Sequence, residues 1–254
     1  MRNLVRAEWI KFASLRASWT RLGIALLLNG LFVAFTLWAF DRSAGDIVPD
    51  TSIAARVATL SGGVSMAALV FVVMGVNVHT AEIKSRTIIP TAGAAPDRRD
   101  LIGAKAFLSG IVGLVAGAVL MLLTTIACLI VVDAKGFPLS PLDDEDAARA
   151  IVGSVAYLAI AALFGLGVGT VLNSATSAIA VGILWPLGLE SALQAFLPEW
   201  VDRLLPFEAG KSLIVAGSDH QLPPWEGGAV FLAWSALLII AGWAIFNRRD
   251  LSGS

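Results

Sequence analysis

The sequence predicts an all-α integral membrane protein with six transmembrane helices, preceded by an amphipathic helix at the membrane surface. Hydrophobic residues make up 57% of the 254 residues, charged residues make up 15%, and the mean hydropathy is +0.81. Such a composition is too apolar for a soluble surface. The charges are concentrated in a few intervals between long apolar runs. We therefore expect one transmembrane domain, residues 1–254, whose main surroundings are the lipid bilayer.

Six apolar runs define the predicted spans. A hydrocarbon core of about 30 Å requires about 20 apolar residues in a helix, and each run is long enough or nearly so. The first run follows a long charged leader and precedes no small-residue cleavage site, so we expect a retained helix rather than a signal peptide. The predicted spans are residues 22–40, 57–78, 106–132, 150–172, 177–197 and 228–246.

The distribution of Lys and Arg predicts that both termini are cytoplasmic. With six spans, the termini share one side of the membrane with residues 79–105 and 173–176. Twelve of the 18 basic residues fall on that side, and the other side carries most of the acids. The twelve are Arg2, Arg6, Lys11, Arg16, Arg21, Lys84, Arg86, Arg98, Arg99, Lys105, Arg248 and Arg249.

Residues 1–21 have the pattern of a helix that lies in the membrane interface. At 100° per residue, Trp9 and Phe12 fall on one broad apolar face, and basic residues flank it. Glu8 is the exception, because its position falls within the apolar face. Two interpretations remain open: an i, i+3 ion pair with Lys11, or a contact with a cytoplasmic loop or a partner.

The segment between the second and third spans, residues 79–105, is basic and rich in turn-forming residues. Pro90 and Pro96 divide it, and the part before them either continues the second helix or forms a short separate one. Asp97 suits the N-cap of the third helix, where a carboxylate meets the positive end of the helix dipole. Lys105 then marks the point at which that helix enters the bilayer.

Glu190, Asn29 and Asn77 are the polar residues of the predicted spans that bear on a translocation path. A charge at mid-membrane costs about 2.5–3.5 kcal/mol, so Glu190 needs a polar environment or a partner. Either Pro186 bends the fifth span so that Glu190 sits near the outer interface, followed by Trp200 in a re-entrant or surface piece, or Glu190 lines a translocation path. Asn29 and Asn77 are weaker candidates for such a path, and interhelical hydrogen bonding is the default expectation for both.

The sequence contains no complete motif for nucleotide binding, metal binding or catalysis. Residues 210–212 imitate the end of a phosphate-binding loop, but Leu205 stands where that loop requires glycine. His79 and His220 are the only histidines and are predicted on opposite sides of the membrane, which disfavours a metal site or a histidine base. We therefore expect no catalytic residue, no metal site and no cofactor in this chain, and no nucleic-acid partner.

Taken together, these features resemble the permease subunits of ABC-2-type transporters. Two departures from the family pattern stand out: Ser85-Arg86-Thr87 where many relatives have Gly-Thr after the loop glutamate, and Asn173 where many have arginine. The similar residues are Glu8-Trp9-Ile10-Lys11 and Ser14-Leu15-Arg16 in the N-terminal segment, Glu82, Pro96, Arg98-Arg99 and Lys105 in the first cytoplasmic loop, and Arg248-Arg249-Asp250 at the C-terminus.

The resemblance implies that residues 79–105 form a coupling loop that docks on a separate nucleotide-binding ATPase subunit, which holds ATP and Mg²⁺. It also implies a second permease copy or a related permease, export across a prokaryotic plasma membrane, and a second coupling contact at Glu8 and Lys11. Two other classes remain open: a non-transporting membrane scaffold for a cytoplasmic partner, and an ion-coupled secondary transporter. The implied docking residues of the loop are Glu82, Lys84, Arg86, Pro96, Arg98 and Arg99.

Overall fold

The computed structural model describes residues 2–43, 63–84, 98–135, 145–215 and 222–248. Within these ranges the chain is helical and contains no strand. A π-helical turn, Trp185–Leu189, lies between the helix that ends at Leu184 and the helix that begins at Glu190. The α-helices of the described ranges are α1 Arg2–Ser14, α2 Arg16–Ser43, α3 Val64–Lys84, α4 Arg98–Lys135, α5 Glu145–Leu172, α6 Ala175–Leu184, α7 Glu190–Gln194, α8 Glu199–Asp202, α9 Pro206–Lys211 and α10 Pro224–Arg248.

The described residues contain six helical segments that are long and apolar enough to cross a membrane. They are α2, α3, α4, α5, the continuous run from α6 through α7, and α10. This confirms the predicted number of spans and their approximate places in the chain. The first residues of the predicted second span, 57–62, lie outside the described residues.

Helices extend into both ends of the predicted segment 79–105, as the first of the two alternatives for its start and the predicted N-cap Asp97 imply. α3 continues to Lys84, and α4 begins at Arg98, so residues 79–84 and 98–105 are helical. Both helices extend beyond the apolar runs because helical backbone satisfies its own hydrogen bonds, and because Glu82 and Lys105 find charged partners. Residues 85–97 lie outside the described residues.

The first helix is shorter than the surface helix predicted at 1–21. α1 ends at Ser14, whose hydroxyl donates to the carbonyl of Lys11 (3.0 Å), a bond that competes with the regular helical pattern. Leu15 is not helical, and α2 begins at the next residue. The indole N–H of Trp19 donates to the carbonyl of Ala13 (3.0 Å) and thereby holds the corner between the two helices. Residues 16–21 therefore belong to the first spanning helix.

Helix α5 lies at the centre of the bundle and packs against α3, α4, α6 and α10. Glycines permit the closest approaches, because a Cβ on Gly75 would overlap the carbonyl of Ala162, and one on Gly165 would overlap that of Val72. These two positions lie on opposite sides of the α3–α5 contact, so each helix fits a glycine against the backbone of the other.

Aromatic and polar contacts join several helix termini at one end of the bundle. The Nε2 atom of His79 lies 3.2 Å from Oδ1 of Asn173, in the turn between α5 and α6, and the His79 ring meets the edge of Phe246 on α10. The guanidinium of Arg99 lies 4.7 Å from the ring centroid of Trp243, also on α10. The end of α3, the start of α4 and the end of α10 therefore share one end of the molecule. That this end is cytoplasmic stays a prediction.

Candidate functional site

Four charged side chains, Glu8, Lys11, Glu82 and Lys105, form an ionic cluster at this end of the bundle. The Nζ atom of Lys105 lies 2.9 Å from Oε2 of Glu8 and 3.0 Å from Oε1 of Glu82. The Nζ atom of Lys11 lies 2.9 Å from Oε1 of Glu8 and 2.6 Å from Oε1 of Glu82. Each carboxylate thus contacts both ammonium groups, and the four charges sum to zero.

Three of the four side chains in the ionic cluster are buried. The side chain of Lys105 is 0% exposed, and those of Glu8 and Glu82 are 5% and 7% exposed, whereas that of Lys11 is 43% exposed. The ammonium of Lys105 also donates to the carbonyl of Val78 (3.2 Å), so all three of its N–H groups have acceptors. A buried charge is tolerated in this way, by opposite charges and complete hydrogen bonding.

The ionic cluster joins three helices. Glu8 and Lys11 are three residues apart on α1 and therefore project from the same face of that helix. Glu82 lies in the last turn of α3, and Lys105 lies about two turns into α4. Because α3 and α4 flank residues 85–97, both helices that border this segment are fixed to α1 and to each other.

The partially exposed lysine of the ionic cluster has an altered pKa. Burial lowers the pKa of Lys11, but the hydrogen bonds and negative charges of Glu82 and Glu8 outweigh that effect and raise it above the ordinary 10.5. Lys11 is therefore charged at neutral pH, as the ion pairs require.

Two of the predicted docking residues have well-defined intramolecular contacts. The carboxylate of Glu82 is directed into the ionic cluster, where it binds α1 and α4. Arg99 stacks on Trp243 and so connects α4 to the last turns of α10. These contacts make both residues part of the base from which residues 85–97 extend, and their contact with a partner stays a prediction.

The remaining predicted docking residues are less completely described. Lys84 ends α3 and Arg98 begins α4, but their side chains are not among the described atoms. Arg86 and Pro96 lie outside the described residues. The structure therefore brings Glu8, Lys11 and Glu82 together, and it brings Lys84 and Arg98 to the ends of the two flanking helices.

Lys105 is the member of the ionic cluster that the sequence does not predict. At the start of an apolar run, a lysine indicates the membrane boundary, and nothing local connects it to Glu8, which is 97 residues away. Glu8 and Glu82 could have indicated such a residue. Both acids lie beside apolar residues and near the same predicted side of the membrane, so a shared basic partner was to be expected. For Glu8, both interpretations describe real contacts: it pairs with Lys11 on its own helix and with Lys105 on α4.

Glu190 lies near the C-terminal end of the fifth span, directly after the π-helical turn Trp185–Leu189. The π-helical turn that contains Pro186 accommodates the missing backbone N–H of that proline. Glu190 is buried, and its Oε1 atom accepts the backbone N–H of Glu208 (2.7 Å) in the first turn of α9. Leu205, the N-cap residue of α9, provides no side-chain cap, so Glu190 provides one from another helix.

Two short helices, α8 and α9, follow the fifth span, and the interpretation in which this span bends and a surface piece follows stays a prediction. Trp200, on α8, is 70% exposed, and α9 packs against α10. The Oε2 atom of Glu190 is buried and has no hydrogen-bond partner among the described residues. Its depth in the membrane and its relation to a translocation path stay predictions.

The two asparagines of the predicted spans differ. The side-chain amide of Asn29, on α2, donates to the hydroxyl of Thr124 on α4, which confirms an interhelical hydrogen bond. The amide of Asn77 instead donates to the carbonyl of Val73 (2.7 Å) one turn earlier in the same helix. Among the described residues this intrahelical bond is the contact found for the Asn77 amide, and an interhelical bond of Asn77 stays a prediction.

Among the described residues, no group of three or more His, Cys, Asp or Glu side chains is placed to hold a metal ion. No protein-family model matches the chain, and no curated protein matches it. The case for a function therefore depends on the residues themselves and on how the helices position them.

Proposed function

We propose that the chain is the membrane-spanning permease subunit of an ATP-driven ABC-2-type exporter. In this proposal it couples to a separate nucleotide-binding subunit through the segment between α3 and α4. The observation that supports this best is the ionic cluster, which fixes both helices that flank residues 85–97 to the surface helix α1. A force applied to that segment would be transmitted to three helices at once.

The packing of the bundle provides a route for such a force. α3 contacts α5 through glycines that leave almost no space between the backbones, and α4 also packs against α5. Closely packed helices move as rigid bodies rather than deforming. A displacement of α3 and α4 by a partner would therefore shift α5, the central helix, and change how the bundle opens.

The energy source belongs to the partner in this proposal. The sequence contains no complete phosphate-binding loop, so ATP and Mg²⁺ would bind to the ATPase subunit, and this chain would carry no enzymatic activity. A second permease, either another copy or a relative, would complete the transporter in a prokaryotic plasma membrane. Both termini would face the cytoplasm, on the same side as the ATPase.

The test is to co-express the chain with a candidate ABC ATPase subunit, purify the assembly in lipid nanodiscs, and measure complex formation, ATP turnover and transport. We expect neutral substitutions at Arg86 and at the Arg98-Arg99 pair to reduce complex formation about tenfold or more. Lys211→Ala is the control, because it removes an exposed basic residue near Glu190 and α9 rather than near the ionic cluster.

The docking assignment fails if substitutions at Glu82 and at Arg98-Arg99 leave both complex formation and coupled transport intact. Glu82→Gln is the appropriate variant, since it keeps the shape of the side chain, and its folded fraction is measured alongside. A stable complex with a partner that shows no nucleotide-dependent rearrangement and no transport would instead identify a scaffold.

A further inference from the structure

A lateral groove opens on the side of the bundle, next to the ionic cluster but separate from it. It lies between α1, α2 and α4 and has a volume of about 390 Å³, within the range of small-molecule sites. Its walls include Trp9 and Phe12 from α1, Trp19 from α2, and Val115 and Val119 from α4. Every residue that lines it is apolar or aromatic.

The groove has unfilled space at its α2 wall. A Cβ added to Gly23 would meet no atom within 4 Å, although this glycine lines the groove. The wall itself is held in place, because the Trp19 indole is hydrogen-bonded to the carbonyl of Ala13. The space is therefore a defined feature of the corner between α1 and α2, which an apolar ligand can fill without moving backbone.

The length of the groove matches one leaflet of a bilayer. Along α4 its lining runs from Ile111 to Leu120, which is about 14 Å at 1.5 Å per residue. One leaflet contributes about half of a hydrocarbon core of about 30 Å. An acyl chain has this extent, whereas a transmembrane helix from a second copy would pack along the whole depth of the membrane.

The charges beside the groove are basic. Arg16 is three residues before Trp19 on α2, and Arg6 is three residues before Trp9 on α1, so each arginine lies about one helical turn from a tryptophan of the groove. Both arginines are exposed. The only acid in residues 1–40 is Glu8, which is buried in the ionic cluster and cannot oppose an anion there.

We propose that the lateral groove binds one anionic phospholipid, with an acyl chain in the groove and the phosphate held by Arg6 and Arg16. Guanidinium groups bind phosphate through charge-assisted hydrogen bonds, and aromatic residues suit the membrane interface. Because Trp9 and Phe12 belong to the same helix as Glu8 and Lys11, the lipid would also support the helix that carries half of the ionic cluster. This site does not depend on the proposed transport function.

The test is native mass spectrometry of the delipidated full chain in detergent, titrated with palmitoyl-oleoyl phosphatidylglycerol or with the phosphatidylcholine of the same chains. We expect one tightly bound phosphatidylglycerol, favoured over phosphatidylcholine by roughly fivefold for each contacting arginine. Gly23→Leu fills the groove and should weaken binding at least tenfold. Gly30→Leu is the matched control, because it makes the same change in open space two turns further along α2, outside the groove.

Three results would overturn the proposal. The first is equal binding of the two lipids, and the second is binding of phosphatidylglycerol by Gly23→Leu that equals its binding by Gly30→Leu. The third is a Gly23→Leu variant that loses a dimer seen for the wild type but keeps its bound lipid. The last would assign the groove to a second copy of the chain. Should Gly23→Leu fail to fold, tryptophan quenching decides the question. One equivalent of dibrominated phosphatidylglycerol should quench the wild type clearly more than the Trp9→Phe/Trp19→Phe variant, and equal quenching contradicts the site.

Discussion

Replacing Lys105 with methionine removes the fully buried charge of the ionic cluster and keeps a side chain of similar length. The two carboxylates would then share one ammonium, that of Lys11, and the buried part of the cluster would carry an uncompensated negative charge. The carbonyl of Val78 would lose its side-chain donor as well. We expect this substitution to destabilise the protein more than any other single change in the ionic cluster.

The size of the effect follows from burial. Removal of one partner from a buried ion pair costs about 3–5 kcal/mol, because the remaining charge stays out of water. Removal of the half-exposed Lys11 should cost less, because water can reach the two buried glutamates from that side, and the value for an exposed pair, about 1 kcal/mol, sets its scale. Lys105 is 0% exposed and Lys11 is 43% exposed, so Lys105→Met should cost several times more than Lys11→Met.

The assay is the fraction of monodisperse protein that remains after heating in detergent, measured by size-exclusion chromatography. With about 2–4 °C per kcal/mol for chains of this size, Lys105→Met should lower the melting temperature by roughly 10 °C and Lys11→Met by at most about 4 °C. The double variant Lys105→Met/Glu8→Gln restores neutrality and should recover part of the loss. A melting temperature for Lys105→Met within about 2 °C of the wild type, or a larger effect of Lys11→Met, would refute the reasoning.

Three further predictions test other parts of the fold. Gly165→Leu should abolish most monodisperse protein after extraction, because its side chain would overlap the backbone of α3, whereas Gly30→Leu, in open space, should extract like the wild type. Glu190→Gln keeps an acceptor for the N–H of Glu208 and should protect α9 from hydrogen exchange as the wild type does, whereas Glu190→Leu should increase exchange there about tenfold. Burial lowers the pKa of Lys11, but its glutamate partners raise it by more, so its contribution is complete below pH 10.5 and is lost as the pH rises through the folded pKa. The melting-temperature difference between the wild type and Lys11→Met should therefore be equal at pH 7 and pH 9 and shrink only above about pH 10.5.

The spans could be predicted from the sequence because the bilayer imposes a length and an apolar composition on each of them. The helix ends could be predicted only in part: Asp97 indicates that the third spanning helix begins at the next residue, whereas the sequence leaves two alternatives for the end of the second. α3 continues past the apolar run, which ends at 78, because Glu82 has Lys11 and Lys105 as partners. Local composition does not contain that information.

The candidate site shows the same division between local and distant contacts. The pair of Glu8 and Lys11 is a matter of helical spacing, so the sequence indicates it directly. The contact between Glu8 and Lys105 joins residues 97 positions apart and arises only when α1 packs against α4. The surroundings of Glu190 could be predicted in part. Pro186 indicates an interruption of the regular helix, but the cap that Glu190 provides for α9 depends on the path of the chain after that point.

The central claim, that residues between α3 and α4 dock on an ATPase subunit, is tested most directly by site-specific photocrosslinking. A photoreactive amino acid is placed at Arg86, or at Lys211 on α9 as the control, and the chain is co-expressed with a candidate ABC ATPase subunit. The account predicts a crosslinked product with the ATPase from position 86 and none from position 211. No product from position 86, with the assembly intact, or an equal product from position 211, would contradict it.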